Sequence, residues 1–130
     1  MAQETPNVIS ASATGPKLPD GVIDIESLEG SDPVLGCRVF THYNGPTDYL
    51  TGLCAGMCVL EPGASPHPPH RHPEEEFLII ASGTGEIECA GKTSEVGPGA
   101  VMYCAGDVLH GITNTGKVPL TFYWSKWMAK

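Results

Sequence analysis

Short apolar segments, cut by glycine, proline, asparagine or aspartate, follow one another from Val22 to the C-terminus. They read GVIDI, PVLGCRVF, YLTGLCAGMCVLEPG, EFLIIASG, GEIECAG, TSEVGPG, AVMYCAG, LHGITNTG and VPLTFYWSKW. A spacing of roughly 8–12 residues between turn signals is the rhythm of an all-β barrel or sandwich. Sixteen glycines and twelve prolines supply the turns. The alternation is clearest near the end, where Leu120, Phe122 and Trp124 share one strand face and Thr121, Tyr123 and Ser125 the other. Both faces carry bulk, so this is expected to be a central strand. The one helix candidate is a short turn around residues 25–28. Neither an internal repeat nor a glycine-rich phosphate loop occurs in the sequence.

A chain of 130 residues is long enough for one domain with one core. Residues 1–20 lack periodicity and end in Pro19-Asp20-Gly21, which predicts a flexible arm ahead of a β-domain over 21–130. Fifteen acidic residues stand against seven basic ones, for a net charge of −8. That balance lacks the footprint of a nucleic-acid or anionic-membrane binder and leaves small molecules, metal ions or proteins as partners. Cys37, Cys54, Cys58, Cys89 and Cys104 form no CxxC pair and read as buried free thiols. The expectation is a reducing, cytoplasmic setting, with a processed secreted protein as the second reading.

The stretch PHPPHRHPEEEF, residues 66–77, is the richest in chemistry. His70 and His72 are two apart, which on a strand puts both imidazoles on one face about 7 Å apart along the backbone. Glu76 follows beyond Pro73 and opens an apolar run, so a turn at Pro73 can bring its carboxylate beside them. Two histidines and a carboxylate form an open ligand set for divalent transition ions. A solvated acidic turn with incidental histidines is the other reading of this stretch alone. Glu74 is expected to stay in the turn, Glu75 to project opposite to Glu76, and both to face solvent. His67 is expected on an exposed loop, with a proton shuttle as its second reading, and His42 is expected at the surface.

Taken with His110, in GDVLHGITNTG, these residues resemble the two motifs of the cupin superfamily of small double-stranded β-helix barrels. The first motif matches Gly63, His70, His72, Glu76 and Gly83, with one extra residue between Gly63 and His70. The second matches Gly99, His110 and Asn114, with Ala105 and Asp107 where proline and glycine are usual. Aspartate tolerates left-handed backbone, so the turn can survive. The resemblance spans residues 50–125 and implies a jelly-roll-like barrel with His70, His72, Glu76 and His110 as metal ligands. Gly63, Gly83 and Gly99 read as corner residues where a side chain would clash.

Such a donor set suits Mn, Fe, Co, Ni, Cu or Zn. The family includes dioxygenases, isomerases, decarboxylases and lyases as well as non-catalytic proteins, so fold does not choose among them. The resemblance implies a metal-dependent enzyme, dioxygenase-like or isomerase/lyase-like, acting on a small oxygenated organic molecule inside the barrel. A non-catalytic ligand- or metal-binding module is the alternative. An enzyme would add an acid or base beyond the ligands, and Tyr103, then Glu88, are the candidates. An exposed sheet edge needs covering, and a homodimer is one way to cover it.

Overall fold

The computed structural model describes residues 7–130, which form eight strands and one 3-10 turn, Ile25–Ser27. The strands are β1 (Cys37–Gly45), β2 (Leu50–Leu60), β3 (Glu75–Ser82), β4 (Gly85–Cys89), β5 (Lys92–Val96), β6 (Val101–Cys104), β7 (His110–Thr113) and β8 (Leu120–Ala129). They make a five-stranded sheet, β1-β2-β8-β3-β6, and a three-stranded sheet, β5-β4-β7, antiparallel throughout. After β3 the chain crosses to the small sheet, returns for β6, crosses for β7 and returns for β8. This is the all-β fold expected from the spacing of the turns, in the double-stranded β-helix arrangement that the resemblance implies.

The period-two pattern decides which side chains enter the barrel. On β3, Glu76, Leu78 and Ile80 point in, while Phe77 and Ile79 point out. Strand β8 lies between β2 and β3, and Leu120, Phe122 and Lys126 on it are buried. Leu60, Leu78, Ile80, Leu120 and Phe122 of the large sheet close on Ile87 and Ile112 of the small one. All five cysteines are free, and four of them are buried.

The expected flexible arm differs from what the described part of it does. Residues 1–6 lie outside the described residues, but the chain from Asn7 to Leu18 is tied to the barrel. Asn7 Nδ2 donates to the carbonyls of Val34 (3.2 Å) and Pro66 (2.8 Å). Ala11 N donates to Glu74 Oε2 at 3.0 Å, Ser12 N to Asn44 Oδ1 at 2.8 Å, and Leu18 N to the Pro46 carbonyl at 2.9 Å. Ile9 packs against the core. Local polarity suggested freedom, whereas acceptors far along the chain hold the backbone N–H groups.

The corner glycines also differ in their reasons. Gly63, Gly83 and Gly99 all have positive φ (+83°, +82° and +91°), yet only at Gly83 would a Cβ collide with anything. Asp107 takes the left-handed conformation (φ 61°) at the position usually held by glycine, as expected. No helix among the described residues is long and apolar enough to cross a membrane.

Candidate metal centre

Two backbone contacts carry the histidine-rich loop to the far side of the barrel. His70 and His110 exchange N–H···O bonds of 2.9 and 3.0 Å, and Asp107 N donates to the His72 carbonyl at 2.7 Å. His67 and His72 each precede a proline, which favours extended backbone on both sides of His70. Glu76 arrives from the start of β3 and His110 from the start of β7.

Their side chains converge. Ring centroids lie 5.0 Å apart for His70–His72, 4.9 Å for His70–His110 and 4.7 Å for His72–His110. One nitrogen of each ring falls within 4.8 Å of the others, close enough for the three to hold one metal ion. Glu76 Oε1 sits 2.9 Å from His72 Nε2 and 3.6 Å from His110 Nε2.

Hydrogen bonds behind the rings set the tautomers. The Nδ1 atoms of His72 and His110 face the carbonyls of Glu74 (3.0 Å) and Val108 (2.9 Å), and a carbonyl can only accept. Each Nδ1 therefore carries the proton and leaves Nε2 free to ligate, the arrangement usual for metal-binding histidine. Buried His110 Nε2 has no hydrogen bond. His72 lies between two acceptors, the Glu74 carbonyl and the Glu76 carboxylate. With Nδ1–H given to the carbonyl, the Nε2 lone pair faces a second acceptor, and a cation would reconcile the two. The residues present fit a divalent ion.

Burial, then the neighbouring imidazoles of His67, His110 and His72, push His70 down to about 3, so its ring is neutral. Burial alone would raise Glu76, but the imidazoles of His110 and His72 outweigh it and hold the carboxyl at about 2. The ordinary value is near 4.5, so this contribution to stability is present above about pH 4.5 and lost as pH falls toward about 2. Urea unfolding of metal-free protein should show its midpoint dropping across that window. In Glu76→Gln that part of the slope should flatten; an unchanged slope would refute the assignment.

Other expectations shift. Glu74 is not solvent-facing: it is buried, with Oε2 held by Ala11 N and Oε1 3.6 Å from His72 Nδ1. Glu75 does project away from Glu76, and its carboxylate accepts from the Tyr103 hydroxyl at 2.7 Å. Tyr103 is half exposed on the outer face of β6, while its neighbours Met102 and Cys104 point in. Glu88 alternates with inward Ile87 on β4 and faces out of the small sheet. Neither candidate acid or base is brought to the histidines. His67, expected at the surface, is half-buried with its ring 3.7 Å from that of His70 and lines the cavity beside the cluster. His42 lies half-buried on β1 near Tyr123 rather than on a loop.

Lys126 was missed. It is 5% exposed and lines the same cavity. The signal was available, because the inward series 120, 122, 124 reaches 126 by two more residues.

A closed two-sheet β-barrel that gathers three imidazoles and a carboxylate within it defines a class of metal-ion-capable barrels. The chain belongs to the cupin domain family, whose model matches residues 56–126. It is 32% identical over 97 residues to dimethylsulfoniopropionate lyase DddW of Ruegeria pomeroyi, an alignment covering 72% of this chain and 63% of that protein. The chain thus aligns with less than two thirds of that relative's length. Among solved structures it is similar to an RmlC-like cupin from Shewanella frigidimarina (TM-score 0.72, 16% identity, 86% of this chain and 94% of that one). It also resembles the polyketide cyclase RemF from Streptomyces resistomycificus (TM-score 0.67, 17% identity, 84% and 80%). At such identities the structural likeness concerns the fold alone.

Proposed function

We propose that this chain is a metal-dependent enzyme of lyase type, acting on a small oxygenated organic molecule inside the barrel. His70, His72, Glu76 and His110 would hold one divalent transition ion. The observation that carries the reading is the buried, hydrogen-bond-free Nε2 of His110 beside the Glu76 carboxylate and the other two rings. When bound, such an ion polarises a substrate oxygen and stabilises negative charge developing on it.

The chain's own residues supply the remainder. Apolar walls from Leu78, Met102, Ile112 and Phe122 limit water around the reacting centre. His67 donates Nδ1–H to the Pro68 carbonyl at 2.8 Å, leaving its Nε2 lone pair free to take a proton. A cavity lined by His67, Asn7 and Lys126 as well as apolar groups favours catalysis over the non-catalytic alternative. The lyase class draws its support from the relationship to the DddW lyase. A dioxygenase could use the same donor set.

The test is turnover by protein loaded in turn with iron, manganese and zinc. The panel holds dimethylsulfoniopropionate, other β-substituted propionates, enediols and phenolics. An alkene product by NMR without dioxygen uptake is expected. Dioxygen uptake would favour the oxygenase class, and silence across the panel would sink the enzyme reading. The expected homodimer has support in the exposed outer-face residues Phe77, Ile79, Val101, Tyr103 and Tyr123. Sedimentation of the full chain as a monomer would remove it.

A further inference from the structure

We propose that Lys126 is an anion-recognition residue, which makes the barrel selective for small molecules that carry a carboxylate. The proposal deepens the reading of the cavity as a substrate site and rests on it. Lys126 stands on β8 directly opposite Glu76 of β3 and Cys54 of β2. Residues opposite one another in an antiparallel pair share a face, so the lysine stem rises beside the proposed ligand and into the barrel. It is 5% exposed and lines the cavity with His70, Glu76 and His110.

Lysine is almost never buried without a partner, because its ammonium loses hydration that only an opposite charge or strong acceptors restore. Here the ammonium has neither a hydrogen bond nor a carboxylate oxygen within 4.0 Å among the described residues. Buried Glu74 and Glu76 stand nearby, but they already engage Ala11, His72 and His110. With a divalent ion in place, positive charge in this buried region exceeds that of the two carboxylates. A neutral molecule would leave the excess uncompensated; a carboxylate would balance it and offer acceptors to the three ammonium protons.

Size narrows the class further. The cavity, partly open to solvent, offers about 50 Å³. One water-sized sphere takes roughly 10–15 Å³, so the space suits a molecule of a few non-hydrogen atoms. A short-chain carboxylate meets both conditions.

The test titrates the full chain with propionate and with propionamide, its uncharged counterpart of similar shape, followed by NMR. Both metal-free and zinc-loaded protein are used. Wild type should prefer propionate at least tenfold when zinc is loaded, and in the same direction but by less without metal. Lys126→Met should bring the two within twofold while zinc content stays unchanged, and Lys126→Arg should keep part of the preference. A preference that survives in Lys126→Met, or its absence from wild type in both forms, overturns the proposal. Failure to take up zinc would count against the metal-centre reading alone, because the metal-free titration stands independently. Should Lys126→Met not fold, the lysine carries its own report in 13C-lysine-labelled wild type. There the Lys126 ε-methylene signal must move on saturation with propionate, and a stationary signal also overturns the idea.

Discussion

Replacing His110 with alanine is expected to lower bound divalent metal from about one ion per chain to less than about a tenth. The reason is the directional constraint on this ring. Its Nδ1–H is tied to the Val108 carbonyl at 2.9 Å, so Nε2 has one lone pair and one direction in which to use it. That direction holds Glu76 Oε1 at 3.6 Å and the rings of His70 and His72 within 5 Å by centroid. Alanine removes one of the four donors that converge on the site. Metal content by mass spectrometry, with circular dichroism as the folding control, decides the matter. His42→Ala, which alters a ring on β1, should retain the metal. A folded His110→Ala protein that still carries one ion would remove this residue from the ligand set.

Gly83→Ala is expected to cost about 2–5 kcal/mol, whereas Gly99→Ala costs about 1–2 kcal/mol. Both glycines adopt left-handed backbone, φ +82° and +91°, and both lose the same conformational freedom on gaining a Cβ. Only at Gly83 does space run out. A Cβ there would lie 2.6 Å from the Pro119 carbonyl and 2.8 Å from Leu120 Cα, backbone atoms at the entry to central strand β8. A Cβ at Gly99 would meet nothing within 4 Å. Leu120 is fully buried, so a shift at its Cα is transmitted into packing against the rest of the core. Urea unfolding of the two variants should therefore separate their midpoints, with Gly83→Ala well below. Equal losses would mean that backbone conformation alone sets the cost at both corners.

Much of the barrel is readable along the chain. Alternation over residues 120–124 marks a strand with two bulky faces, and β8 is indeed hydrogen-bonded on both sides. The spacing of His70, His72 and Glu76, and the resemblance that adds His110, select residues whose side chains meet. Glu75 and Glu76 separate onto opposite faces as period two requires. The misplaced residues share a physical cause. Glu74 and His67 lie outside regular strands, where no periodicity says which way a side chain turns. Tyr103 was judged by its chemistry, although inward Met102 and Cys104 on either side place it on the outer face.

What the sequence determined by itself is local: where strands begin and end, which alternate residues share a face, and which donors suit a divalent ion. These follow from backbone sterics and side-chain chemistry within a few residues. Tertiary structure alone decided that the chain from Asn7 onward lies on the barrel and that Glu74 turns inward to Ala11. It also decided that Lys126 comes to stand across from Glu76. Those arrangements join residues separated by 27 to 63 positions, through hydrogen bonds and pairings that exist only once distant segments have come together.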